Sequence, residues 1–218
     1  MISPQVIATF SIVAYDVATP SWGIAVQSRF LAAGSVVPWA RAGIGGVATQ
    51  ALANPRFGPL GLAMLEQGLS ADEVVAGLIG GDSGRELRQV GVVDRSGKAA
   101  AFSGAECLAW AGHIVGEHFC CQGNILAGEV VVAGMASTFE RRTDLPLAER
   151  LIAVLEAGQS AGGDSRGQQS AALLIVRAGG GFGGYTDRTV DLRVDDHVAP
   201  ITELARLLAL HRQTFGGP

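Results

Sequence analysis

The run Thr9-Phe-Ser-Ile-Val-Ala-Tyr15, then Asp16-Val-Ala-Thr-Pro-Ser21, then Trp22-Gly-Ile-Ala-Val-Gln-Ser28, decides how this chain is read. The outer segments are rich in β-branched and aromatic residues and read as strands. Asp16 and Pro20 break the pattern between them and mark a turn. Folded symmetrically about that turn, the hairpin sets Thr9 opposite Ser28 and Ser11 opposite Val26. Apolar side chains fill the intervening positions as well as the alternate ones. Such strands are covered on both faces, here by a second sheet and by helices.

Outward from the hairpin, residues 42–48 read as a short glycine-punctuated strand and residues 49–55 as a loop. Residues 59–68 predict a helix with Gly68 as its stop. Ser70-Ala-Asp-Glu73 has the form of a capping box and opens a second helix reaching about Ile79. Residues 88–94 and 99–103 flank the turn Arg95-Ser-Gly97, a second hairpin. Residues 118–124 read as a strand, residues 125–140 as a helix, and residues 146–158 as a helix bounded by Pro and Gly. After a polar, glycine-rich stretch at 159–169 come a buried strand at 170–177, a loop at 179–184, a strand at 189–194 and a last helix at 200–212. Strands and helices segregated in this way indicate an α+β fold in layers.

At 218 residues the chain is expected to form a single domain from residue 9 to residue 218. Charged residues are 17% and apolar residues 48%, which excludes intrinsic disorder. A net charge of −4 leaves no basic footprint for nucleic acid. No stretch of about 18 apolar residues predicts a membrane span. Met1 to Ala8 lacks a basic segment, so it is a poor secretory signal, and is read as a leader or propeptide. Three cysteines, Cys107, Cys120 and Cys121, form no paired framework and fit a reducing compartment, so a cytoplasmic location is expected.

Gly43-Ile-Gly-Gly46 and the glycines at 179–184 match neither phosphate-loop pattern, and no cofactor is expected. Asp195-Asp-His197 is the one cluster with metal-ligand chemistry, but no ligand spacing accompanies it and no metal is expected. Thr9 and Ser11 hold a different interest. A hydroxyl at a strand head is a poor nucleophile until a base sits beside it, and an α-amine, titrating near about 8, can be that base. The alternative is that both are strand residues satisfied by their neighbours.

Several motifs follow in register: Thr9-Phe-Ser-Ile-Val-Ala-Tyr-Asp16, Gly23-Ile-Ala-Val-Gln-Ser-Arg-Phe30, Pro38-Trp-Ala-Arg-Ala-Gly43 and Val47-Ala-Thr-Gln50. Later come Asn54-Pro-Arg-Phe-Gly-Pro59, Arg85-Glu-Leu-Arg-Gln-Val-Gly91, Gln122-Gly-Asn-Ile-Leu-Ala-Gly128 and Gly162-Gly-Asp-Ser-Arg-Gly-Gln-Gln-Ser170. Together they resemble the bacterial domain-of-unknown-function family 1028, placed in the N-terminal-nucleophile (Ntn) hydrolase superfamily. The resemblance implies a four-layer αββα sandwich and no settled activity. The opening is also similar to a proteasome-type subunit, which implies Thr9 as nucleophile and Gly45 or Gly46 as oxyanion donor. Two features depart from that pattern. Lys98 is the only lysine, and Thr9 is preceded by eight residues.

Ser28, Arg29, Thr49, Gln50, Asn54, Asn124, Asp164 and Ser170 are polar islands in apolar or glycine-rich context. Several of them are expected to line one pocket near the Thr9 end of the first hairpin, where Arg29 would grip a carboxylate. Three readings stand. The first is an Ntn-type amidohydrolase with Thr9 and Ser11 as catalytic hydroxyls, acting on a small amide or amino-acid derivative. The second is a non-catalytic small-molecule binder. The third is a structural protein whose apolar excess serves a homo-oligomer.

Overall fold

The computed structural model describes residues 9–216; the expected leader, residues 1–8, lies outside them. The first hairpin is β1 (Thr9–Asp16) and β2 (Ser21–Ser28), antiparallel, with Thr9 opposite Ser28 and Ser11 opposite Val26 as the turn predicts. Asp16 makes that turn by accepting the Ala18 N–H and the Thr19 hydroxyl. The hairpin lies at the middle of a six-stranded antiparallel sheet. Its other strands are β7 (Trp110–Gly116), β8 (Phe119–Leu126), β9 (Ser170–Val176) and β10 (Arg188–Val194), in the order β10-β9-β2-β1-β8-β7. A second antiparallel sheet orders β3 (Pro38–Arg41), β4 (Gly45–Ala51), β5 (Arg88–Val93) and β6 (Ala99–Ser103).

Alternation along β1 separates its two faces. Phe10, Ile12 and Ala14 join a core with α3 (Glu129–Arg141), α4 (Leu147–Ser160) and α5 (Pro200–Phe215). Val13 instead joins Trp22, Ile24 and Val26, which meet Ala48 and Val93 of the second sheet. The Trp22 indole N–H donates to the Asp94 carbonyl at 3.0 Å and ties the two sheets at that end. On the far side of the second sheet, Val47, Val90 and Val92 pack under α1 (Phe57–Glu66) and α2 (Ala71–Gly80). This is the expected α+β class, with five α-helices among the described residues.

Ser70 caps α2 through the full capping box with Glu73. The elements depart from the sequence reading at several places. Residues 49–51 continue β4 rather than forming a loop, because Thr49, Gln50 and Ala51 pair with Val90, Gln89 and Arg88 of β5. The helix expected from residue 125 begins at Glu129, because β8 runs on through Leu126 and an extended Gly128 precedes the first turn. β3 and β7 are half-exposed edge strands with little hydrophobic pattern, and the sequence reading assigns neither.

Candidate functional site

The face of β1 that turns toward the second sheet is polar at its beginning and apolar beyond. Thr9 and Ser11 point there, and both are fully buried. Across the sheet, Ser28 pairs with Thr9 and with Ser170. Asn124 stands one step past the pair Phe10–Gly123, which brings it level with Thr9 on the other side. Thus Asn124, Thr9, Ser28 and Ser170 form one row over four neighbouring strands, all fully buried. The Thr9 hydroxyl donates to Ser28 Oγ at 3.2 Å. Ser170 donates to the Phe30 carbonyl and accepts the Ala33 N–H, which fixes the chain leaving β2.

A second row faces this one. Gln50 pairs with Gln89, and Gln89 with Ser103, across β4, β5 and β6. Its polarity is set by backbone carbonyls, which can only accept. Gln89 Nε2 donates to the carbonyls of Gly123 (2.8 Å) and Gly112 (3.1 Å) and to Ser103 Oγ (2.7 Å). Gln89 Oε1 is therefore the acceptor, taking Gln50 Nε2 at 2.8 Å and Asn124 Nδ2 at 3.0 Å. Gln50 Oε1 in turn accepts the Ser11 hydroxyl at 2.6 Å, and Ser11 Oγ accepts Gln122 Nε2 at 2.7 Å. Gln50 Nε2 also reaches the Thr9 carbonyl at 3.4 Å. The network surfaces at Ser103, whose Oγ lies 2.9 Å from His113 Nδ1. His113 as a residue is exposed, but its covered inner edge holds its pKa below the usual histidine value.

The backbone is strained where this network is anchored. Ala51 directly follows Gln50 with φ 66°, and Ile125 directly follows Asn124 with φ 53°. A β-branched residue in the left-handed region is an outlier, costing about 1–3 kcal/mol, and such strain gathers at functional sites. The Ile125 carbonyl is held by the N–H and hydroxyl of Ser165. The same loop brings Asp164, a buried carboxylate, against the Arg29 N–H and into an ion pair with Arg166 at 2.8 Å.

Of the residues expected to share a pocket, the structure gathers Thr9, Ser11, Ser28, Gln50, Asn124 and Ser170, with Asp164 beside Ser28 through Arg29. Others are placed elsewhere. Thr49 occupies the opposite face of β4 from Gln50, and its hydroxyl donates to the Asn54 carbonyl. The Asn54 side chain binds Asp82 and lines a recess with Arg56 and Phe57. Arg29 is exposed and lines a different recess with Gln168, Gln169 and His197. Gly46 is packed on Val13 and Ile24, well along β1 from Thr9, and Gly45 turns toward Leu65. The group that reaches Thr9 from β4 is Gln50. Arg41 pairs with Glu66 at the surface. Among the described residues no cluster of three or more His, Cys, Asp or Glu could hold a metal ion, and the His197 ring accepts the Ala199 N–H.

Gln89, Gln122, Ser103 and His113 were not anticipated as site residues. Gln122 and Asn124 carry the clearest signal, since amides two apart in an apolar strand share one face. Gln89 and Ser103 could be placed only by knowing which strands pair. No helix among the described residues is long and apolar enough to cross a membrane.

A solved structure, protein SPO2555 from Silicibacter pomeroyi, is 31% identical, with a TM-score of 0.86 over 94% of this chain and 86% of that one. Far more distant are two Anbu structures. A Gly-1 mutant from Hyphomicrobium sp. strain MC1 is 11% identical with a TM-score of 0.41, covering 96% of this chain and 97% of that one. The ancestral β-subunit from Yersinia bercovieri is 8% identical with a TM-score of 0.41, covering 94% and 95%. No curated protein matches the chain. The profile of a family of unknown function, DUF1028, matches residues 9–204, and with SPO2555 from the same family at this likeness, the chain belongs to DUF1028.

Proposed function

We propose that the protein is an amidohydrolase of the Ntn class, acting on a small amide or amino-acid derivative, with Thr9 as nucleophile once the bond before it is opened. In this reading the two sheets and their helices are a four-layer αββα sandwich, residues 1–8 are a leader, and a single domain follows. A cytoplasmic homo-oligomer belongs to the same proposal, supported by the free cysteines and the exposed Phe182 and Tyr185.

The observation that carries the reading is the Thr9 hydroxyl. It stands at the head of a central strand, bonded to Ser28, where the space between the sheets turns from apolar to amide-lined. A freed Thr9 amine would take the hydroxyl proton as Oγ1 attacks the amide carbonyl. The C–N bond then breaks, the amine returns the proton to the departing nitrogen, and water hydrolyses the ester left on Thr9. The reaction as drawn uses no cofactor. Ser11 has its proton committed to Gln50, so its part is to hold Gln50 rather than to attack.

Intact mass of the native protein should show a chain beginning at Thr9. Thr9→Ala should abolish release of amine from a panel of small amides, and full activity in that variant removes Thr9 from the reaction. A non-catalytic binder of the same fold is the second reading. The complete burial of Thr9 favours it, and a native mass that includes residues 1–8 would select it.

A further inference from the structure

The polarity of the buried network leaves a specific atom without a partner. Gln89 Oε1 can only accept, so Asn124 must present Nδ2 to it. The Asn124 carbonyl oxygen is thereby turned the other way. It is buried, and no donor reaches it. Gln122 Oε1 is in the same state, but it lies over Gly91, where a Cβ would come within 2.4 Å, and Gln122 is level with Ser11. Asn124 is level with Thr9, on the adjacent strand and on the same face. Side chains so placed have Cβ atoms about 5 Å apart. An unpaired buried acceptor is destabilising, since it has given up water and gained no donor. At this position that cost is removed by any N–H donor added to the head of β1.

Resting on the amidohydrolase reading, we propose that Asn124 is the positioning residue for the freed amine of Thr9, its Oδ1 accepting one N–H of that amine. The bond turns the amine's lone pair toward Thr9 Oγ1 when the amine is neutral. The Nδ2 bond to Gln89 Oε1 keeps the Asn124 amide from turning over, and the left-handed Ile125 that follows is held through its carbonyl by Ser165. On the β2 side the same end of the sheet carries the Asp164–Arg166 ion pair, and His113 closes the far side of the network. Neither is altered in the test.

The test is competitive labelling of amines in the full chain with isotopic acetic anhydride across pH, read by mass spectrometry. Lys98 is the only lysine and its exposed ammonium, paired with Asp72, is the internal reference. In Asn124→Asp the carboxyl must stay protonated to donate to Gln89 Oε1, so its other oxygen remains a neutral acceptor and labelling of the amine relative to Lys98 should stay within about twofold of wild type. Asn124→Leu removes the acceptor and should lower the amine's pKa. Thermal unfolding confirms that each variant is folded, and Asn124→Ala removes the same acceptor should the leucine fail. A chain that begins at Thr9 but whose amine labels with an unchanged pH profile when the Asn124 acceptor is removed overturns this assignment alone. A chain that keeps residues 1–8 overturns the amidohydrolase reading and this assignment with it.

Discussion

Gln89 is the residue on which the buried polar network turns. It satisfies Gln50 and Asn124 with its oxygen and Ser103, Gly112 and Gly123 with its nitrogen. Replacing it with Leu strands several of these groups in a buried setting, each costing about 1–3 kcal/mol. Gln89→Leu should therefore lose about 3 kcal/mol or more in urea unfolding, and a loss below about 1 kcal/mol would show that the network reorganises freely. Asp82 makes a pH-dependent contribution. Its hydrogen bond from Arg88, helped by Asn54 and Gly84, lowers its pKa from 3.8 to about 2. A depressed carboxylate pKa contributes stability that is present above the unfolded value and lost as pH falls through the folded one. The Asp82 and Arg88 side chains are largely covered, and a shift of this size corresponds to on the order of 2 kcal/mol. Asp82→Asn should be less stable than wild type at pH 6, with the gap closing between about pH 4 and pH 2.

At the scale of elements, β5 and β8 come close because Gly91 has no side chain. A Cβ there would lie 2.4 Å from Gln122 Oε1 and 2.8 Å from Cys120 Sγ. Gly91→Ala should cost about 1–3 kcal/mol, read as a lower Tm, and should disturb Ser11 through Gln122. An unchanged Tm would mean that the sheets separate easily at this point. Much at this scale was legible in advance. The β1–β2 register followed from the turn at Asp16, and the α2 start followed from Ser70 and Glu73, because these signals are local. The end of β4 was not legible. Thr49, Gln50 and Ala51 look like a loop until β5 pairs with them, since strand state depends on partners far along the chain.

Over the whole molecule, the buried apolar residues fall into three clusters. Ile24 is fully buried in the cluster that also holds Val13, Trp22 and Ala48. Ile24→Ala should cost about 2–5 kcal/mol, whereas Leu60→Ala, at a position 53% exposed, should stay within about 0.5 kcal/mol. Equal losses in the two would contradict this distribution of the core. The class of the fold and the paired faces of β1 and β2 were written in the sequence, because apolar periodicity and turn residues act over a few positions. So was the candidacy of Thr9, Ser11 and Ser28, polar residues in strands otherwise apolar. The folded molecule alone decided that Gln50 rather than Gly45 or Gly46 reaches Thr9, that Thr49 turns away, and that Arg29 and Asn54 open on separate recesses. The physical reason is alternation and register. A residue's face is set by a period of two within its strand, but which faces meet is set by how distant strands align, and that alignment is a property of the packed sheets.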